Sequence, residues 1–320
     1  MRVLITGGAG MLGSKLTRRL LGDGRLRGET IDVIDVVDVV EAPVSSEVCV
    51  SHVADVSDPG AAEEFIALGP DVVFHLAGVV SGEAEADFDK GMRVNLDGTR
   101  ELFDAIRLAP IAPRVVYTSS IAVFGAPLPD PIPDDFHLTP LTSYGTQKMI
   151  GEALLADYSR RGFFDGIGIR LPTISVRPGL PNAAASGFFS GIIREPLAGE
   201  AASLLVSREV RHTHASPRAA VGFMIHAAEL DSSLVGARRN LTMPGVSVTV
   251  GEQIEALGRV AGPDVVALIT NSPDPTIAAI VAGWPERFDA ARATDLGFVA
   301  EQTYDDIIRA YIEDDLSFPS

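Results

Sequence analysis

Cysteine is nearly absent from this chain: Cys49 stands alone, inside an apolar run. One thiol closes no disulfide framework and builds no cysteine-rich metal site, so a reducing compartment is expected. Positive charge is scarce as well. Lys and Arg number 26 against 43 Asp and Glu, a net charge of -17 at pH 7. That balance argues against nucleic acid and anionic membranes as main partners. Lysine itself occurs only as Lys15, Lys90 and Lys148. No apolar run reaches the roughly 18 residues that a transmembrane helix needs. Internal repeats and low-complexity linkers are missing too. The N-terminus runs from a strand straight into a glycine turn, without the layout of a signal peptide. A soluble cytoplasmic protein is the expectation. The 320 residues are 46% hydrophobic and 22% charged, as in ordinary globular chains of one large or two interlocked domains.

What is present begins with glycine. Arg2 to Thr6 reads as a short strand, followed by Gly7-Gly8-Ala9-Gly10-Met11-Leu12-Gly13 and a helical run to Leu21. A strand, a glycine turn and a helix form a dinucleotide site. The glycines let the backbone approach a pyrophosphate, and the helix start offers unpaired N–H groups. The spacing fits both Gly8-x-Gly10-x-x-Gly13 and Gly7-x-x-Gly10-x-x-Gly13. A second strand is predicted from Ile31 to Val36. Such sites place an acid about 20 residues beyond the glycines, on a ribose hydroxyl. Asp35 is the preferred candidate, with Asp32 and Asp38 as competitors. A carboxylate there repels a 2′-phosphate and favours NAD over NADP.

Further strands are predicted at Val48 to Val53, Asp71 to Gly78, Arg114 to Ser120 and Ile167 to Leu171, with helices at Ala61 to Leu68 and Phe88 to Leu108. Strands alternating with helices imply a doubly wound parallel α/β sheet covered on both faces. Ligands of such sheets bind at the carboxyl edge, where Thr118, Ser119 and Ser120 fall. Proline and glycine punctuate Pro172 to Pro196, which suggests loops over a cleft. Helices are expected after the Ser216-Pro217 cap, after the Thr249 to Glu252 capping box, and from Tyr304 to Asp315, before a frayed tail at Ser317 to Ser320. The expected division is a cofactor domain over 1–172, with a return around 211–242, and a smaller mixed substrate domain over 173–320.

The chemistry centres on Ser143-Tyr144-Gly145-Thr146-Gln147-Lys148. Tyr144 and Lys148 are spaced i, i+4, so on a helix they share one face. A phenol titrates near ~10 in water, and a neighbouring cation lowers that value. A tyrosine beside a lysine is therefore a candidate proton acceptor.

Thr6-Gly7-x-x-Gly10-x-x-Gly13, Asp55-Val56, His75-Leu76-Ala77-Gly78, Asn95, Ser119-Ser120-x-x-Val123-Phe124-Gly125 and Tyr144-x-x-x-Lys148 together resemble the extended short-chain dehydrogenase/reductase family, in its order and over nearly the whole chain. The resemblance implies NAD as cofactor and Ser120, rather than Ser119, beside Tyr144 and Lys148 as the catalytic set. It implies cofactor contacts from Gly7, Gly10, Met11, Leu12 and Gly13 around the phosphates and from Asp35 at the ribose. It implies others from Asp55 and Val56 at adenine, from Ala77, Gly78, Asn95, Thr118 and Thr173, and from Tyr144 and Lys148 near the nicotinamide. Family members usually carry Tyr at the position of Phe124, so a phenol contact to substrate is lost. The runs Leu171 to Gly179, Pro181 to Gly187 and Arg211 to Pro217 look unlike nucleotide-sugar enzymes and resemble members that oxidise the C2 hydroxyl of a four-carbon sugar acid. A carboxylate substrate calls for arginine, whose fork binds it bidentately. Arg177 and Arg211 are the candidates, and Ser81, Ser120 and Tyr144 complete the expected substrate contacts. His212 and His214 lack a third ligand nearby, so no metal is expected. The resemblance further implies a homodimer. The alternative readings are a nucleotide-sugar epimerase or dehydratase with tightly held NAD, and a non-catalytic NAD-sensing protein.

Overall fold

The computed structural model of the chain describes residues 1–179 and 186–316. The strands that position the site are β1 (Arg2–Thr6), β2 (Val33–Asp38), β3 (Cys49–Val53), β4 (Val72–His75), β5 (Arg114–Ser120), β6 (Asp165–Leu171), β7 (Thr173–Ile174), β8 (Arg211–Ala215), β9 (Asn240–Thr242) and β10 (Val246–Thr249). A seven-stranded sheet runs β9-β6-β5-β4-β1-β2-β3, with every neighbouring pair parallel. The order reverses at β1, which leaves a crevice at the carboxyl ends of β1 and β4.

The strands alternate their side chains between two cores, as a period of two requires. Val3 and Ile5 point to one face and meet Leu16 and Leu20 of α1 (Met11–Asp23) and Phe223 and Met224 of the helix 217–229. Leu4 points the other way, to Phe65 of α2 (Ala61–Ile66), to Phe103 of the helical run 88–108, and to Leu155 of the helix Ser143–Arg160. Both faces are covered, which explains why the central strands read as near-continuous apolar runs.

Further helices are α3 (Ser81–Ala86), α4 (88–108), α5 (Ser143–Arg160), α6 (Gly187–Leu197), α7 (Pro217–Glu229), α8 (Val250–Ala261), α9 (Pro275–Val281) and α10 (Tyr304–Tyr311), besides two short ones at Pro263–Val266 and Ala291–Asp295. α4 contains a π-turn over Met92–Asp97. Thr142 caps α5 by accepting from Gly145 N at 3.0 Å, and the Thr249–Glu252 capping box opens α8. Phe189 and Ile193 of α6, Ile254 and Leu257 of α8 and Ile307 and Ile308 of α10 form a separate apolar core. Beside it, β8 pairs parallel with β7 and antiparallel with β10.

Several boundary expectations change, and β4 ends at His75 rather than Gly78. β2 begins and ends two residues later than its apolar run suggested, at Asp38. The stretch from Pro172 to Pro196 is not loop throughout: it holds β7 and α6, because Pro196 sits in the last turn of α6 rather than in its middle. The last helix is α-helical to Tyr311 and closes as a π-turn over Ile312–Leu316. Pro181 to Ala185 and the tail Ser317 to Ser320 lie outside the described residues. Among the described residues no helix is long and apolar enough to cross a membrane.

Candidate active site

One cleft of about 1790 Å³ follows the carboxyl edge of the large sheet, from the glycine turn to Trp284. Its first end is made by absence of side chains. Gly7 has φ +72°, and a Cβ on it would fall 2.6 Å from Ala77 N. A Cβ on Gly13 would fall 2.5 Å from Gly7 O, and one on Gly8 2.3 Å from Val36 Cγ1. The two glycine spacings are therefore both in use, Gly7, Gly8 and Gly13 for close packing and Gly10 at the helix start. Gly10 caps α1 without a side-chain hydrogen bond, so the first N–H groups of the helix face the cleft beside Met11 and Leu12. Uncapped N–H groups over a cradle that any Cβ would fill suit the pyrophosphate of NAD.

Asp35, the expected ribose acid, does not line the cleft. Asp35 lies inside β2 and is 1% exposed. It accepts from Arg2 Nε at 2.6 Å and pairs with His52 Nε2 at 2.9 Å, away from the cleft. Asp38, at the strand's end, lines the cleft and accepts from Ala9 N at 2.9 Å and Val39 N at 2.7 Å. The two-residue displacement of β2 is the physical reason: its carboxyl edge falls at Asp38. Asp55 and Val56 line the cleft as expected. Burial pushes the Asp55 pKa up, but hydrogen bonds from Arg93 and Ser57 outweigh it and hold the carboxyl below its ordinary value. Ala77 and Gly78 line the cleft too, whereas Asn95 does not. Asn95 is fully buried on the π-turn of α4. It accepts from Val79 N at 2.8 Å and donates to Val79 O at 3.2 Å and to Gln147 Oε1 at 2.8 Å. Asn95 thus meets the cleft wall only through the backbone of Val79.

Ser120, Tyr144, Lys148 and Thr118 converge on the middle of the cleft. Ser119 is turned into the protein, donating to Glu152 Oε1 at 2.6 Å beside a buried Arg170–Glu152 pair. Both serines line the cleft, and of the two it is Ser120 whose hydroxyl is hydrogen-bonded with Tyr144. Lys148 Nζ donates to Thr118 O at 2.8 Å and stands 5.8 Å from the centre of the Tyr144 ring. Burial lowers the Lys148 pKa to about 8, against the opposing charge of Glu152. Burial raises the Tyr144 pKa, while a hydrogen bond with Ser120 and the charge of Arg177 pull it down. Arg177 thus joins Lys148 as a cation near the phenol, and Lys148, with one N–H on the Thr118 carbonyl, keeps two donors for other partners.

At the far end Ser81, Thr173 and Arg177 line the cleft, and Arg211 does not. Arg211 donates to Ser247 O at 3.0 Å and lies 3.2 Å from Glu252, so it braces β8 against β10 and α8. Arg177 donates from Nε to Ile174 O at 3.0 Å and from Nη2 to Ser186 Oγ at 2.7 Å. Burial lowers its pKa, Tyr144 raises it, and Arg194 lowers it further. Thr173 pairs with His212 Nε2 at 2.7 Å, and His212 Nδ1 with Pro285 O at 2.8 Å. Burial lowers the His212 pKa to about 4, so the ring is a neutral hydrogen-bonding strut. Among the described residues no group of three or more His, Cys, Asp or Glu is placed to hold a metal. The sequence reading missed Arg194, Lys90 and Trp284, all on the cleft wall. For Arg194 a signal existed: Ser186, Ser190 and Arg194 recur at helical spacing.

Known proteins resemble the chain over nearly its whole length. Residues 3–232 match the NAD dependent epimerase/dehydratase family. The chain is 50% identical to a D-erythronate dehydrogenase of Cupriavidus necator, covering 98% of either chain. It is 40% identical to a D-erythronate dehydrogenase of Haemophilus influenzae, over 99% of this chain and 100% of that one. The crystal structure of a nucleoside-diphosphate-sugar epimerase from Agrobacterium tumefaciens matches with a TM-score of 0.96 and 59% identity, covering 99% of this chain and 95% of that one. With the glycine cradle and the Ser120, Tyr144 and Lys148 group on one cleft, these matches make the chain an NAD-dependent oxidoreductase and a member of the NAD dependent epimerase/dehydratase family.

Proposed function

We propose that the chain oxidises the C2 hydroxyl of a small sugar acid, D-erythronate, to the 2-oxo acid. The observation that carries this reading is Arg177. It lines the cleft close enough to Tyr144 for each to shift the other's pKa, and no carboxylate among the described residues forms an ion pair with it. A half-buried cation without a protein counter-ion among the described residues suits a substrate carboxylate, which its fork can hold bidentately. The relatives named for D-erythronate support the same reading.

When bound, NAD supplies the acceptor for the hydride leaving C2. Tyr144 takes the proton of the C2 hydroxyl, and Ser120 hydrogen-bonds the same oxygen. Lys148 reaches the nicotinamide ribose, and Gly10, Met11 and Leu12 hold the pyrophosphate. Asp38 takes the adenosine ribose. Arg177 fixes the acid end, so that C2 rather than C3 meets the cofactor. A cytoplasmic homodimer is proposed with this chemistry, supported by the single cysteine and by exposed Phe88 and Leu108 at the two ends of α4. Sedimentation of the purified protein checks the assembly.

The test of function is NADH formation from NAD with D-erythronate, L-threonate and UDP-glucose in parallel. Accumulating NADH with D-erythronate alone supports the dehydrogenase. Epimer formation from UDP-glucose without NADH release would replace it with the nucleotide-sugar reading that the Agrobacterium structure's description favours. Arg177→Met should raise KM for the acid about tenfold to a hundredfold, the worth of a charge-assisted hydrogen bond, and leave NAD binding intact.

A further inference from the structure

α6 carries Ser186 at its N-cap, then Ser190 and Arg194, at i, i+4 and i+8. Residues so spaced lie on one helix face. All three line the cleft, and all three grip the same residue. Ser186 Oγ accepts from Arg177 Nη2 at 2.7 Å. Ser190 Oγ accepts from Arg177 N at 3.0 Å. Arg194 Nη1 donates to Arg177 O at 2.8 Å. The guanidinium, the amide and the carbonyl of Arg177 are each held by a different turn of one helix. Ile174 O takes the remaining Nε–H at 3.0 Å.

The charges divide along the same line. Arg194 Nη2 meets Glu195 Oε1 at 2.5 Å, with the two side chains only 11% and 20% exposed. Glu195 therefore answers the charge of Arg194, and the charge left over belongs to Arg177. Glu195 Oε2 is buried without a hydrogen-bond partner among the described residues, a cost that stability alone does not call for.

From this geometry we infer that the Ser186–Ser190–Arg194 face of α6 is a mount that positions Arg177 for the substrate carboxylate, with Arg194, neutralised by Glu195, as its principal positioning residue. The inference rests on the proposed sugar-acid reading and goes beyond it. Preference for an acid over an uncharged polyol then depends on a helix face that need not itself touch the substrate. Arg194 acts through the backbone of Arg177, so its loss lets the guanidinium drift from the carboxylate while Tyr144, Lys148 and the glycine turn stay in place.

The experiment compares Arg194→Met, Arg194→Lys and Ser190→Ala with the wild-type enzyme, using D-erythronate and NAD. Arg194→Met should raise KM for the acid about tenfold to a hundredfold, the scale of misplacing one binding group. KM for NAD and kcat at saturating acid should stay close to wild type. Arg194→Lys should recover part of the loss, because an ammonium still donates to the Arg177 carbonyl. Ser190→Ala removes one oxygen, so it remains informative if Arg194→Met fails to fold, and it should raise the acid KM by a smaller factor. A fall in kcat or in NAD affinity with the acid KM unmoved, in Arg194→Met or Ser190→Ala, would overturn the inference as a merely structural effect. Wild-type enzyme that reduces no NAD with any sugar acid would instead remove the proposed function, and with it the carboxylate at which the mount is aimed.

Discussion

Tyr144 is caught between two environments. The cleft walls raise its pKa, and Ser120 and Arg177 pull the other way. A phenol serves as base only in the fraction that has lost its proton, so the pulling groups set the activity near neutrality. Tyr144→Phe removes one oxygen and keeps the ring. It should leave NAD binding in place and lower the rate about 10²–10⁴-fold, the usual worth of a general base. Arg177→Met and Ser120→Ala should each move the rising limb of the kcat–pH profile upward, because each removes a group that lowers the phenol's pKa. A limb that stays put in both variants would assign it to another group. The two aspartates of β2 separate by the same residue-scale reasoning. Asp38→Ala should weaken the preference for NAD over NADP, read as the ratio of their kcat/KM values. Asp35→Ala should leave that ratio alone and lower Tm instead, since it strips Arg2 and His52 of their buried partner.

Elements explain which of these residues could be read from sequence. β5 and α5 carry unbroken apolar or periodic signals, with Ser120 at the end of β5 and Tyr144 and Lys148 in the first two turns of α5, so their convergence on one cleft was legible. β2 ends in Val36-Val37-Asp38 after an acid at every third position, and nothing in that run says which aspartate is the last. Registry against β1 decides it: Thr6 aligns with Val37, one residue before Asp38. α6 was hidden by its flanking prolines and glycines, which read as loop although only the last turn contains one of the prolines. Arg211 was placed near the cleft by its neighbours in sequence, yet β8 turns it towards Ser247 and Glu252. The π-turn of α4 left no recognisable sequence signal. It brings Asn95 to clamp both polar groups of Val79. Asn95→Ala leaves Val79 N and O without those partners beside Gly78 of the cleft wall. The cost should be about 1–3 kcal/mol, seen as a lower Tm together with weaker NAD binding in titration. Lower Tm with unaltered NAD affinity would confine Asn95 to the core.

For the whole molecule, pH acts on stability through three buried histidines in two separate cores. His75 bridges Thr6 and Thr99 under α4, and burial, followed by the charge of Lys148, lowers its pKa to about 3. His212 is lowered to about 4 by burial, against the pull of the Pro285 carbonyl. His214, between Ser175 and Gln253, is held well below its ordinary value by burial, then by His212 and Arg177. Each pKa is lower folded than unfolded, where it lies near 6.5. Below 6.5 the unfolded chain therefore binds protons that the folded chain refuses. The stabilisation is complete above that value and is lost as pH falls towards about 4 for His212 and about 3 for His75. Each group should contribute a slope approaching about 1.4 kcal/mol per pH unit inside its window. Most carboxylates titrate nearer ~4, so the interval from neutrality to about pH 5 isolates the histidines. The urea midpoint should fall steadily over that interval, and His212→Gln should flatten the fall while keeping the hydrogen-bonding capacity towards Thr173 and Pro285. A wild-type midpoint equal at both ends would mean that these rings take up protons in the folded state and that neither core excludes the charge.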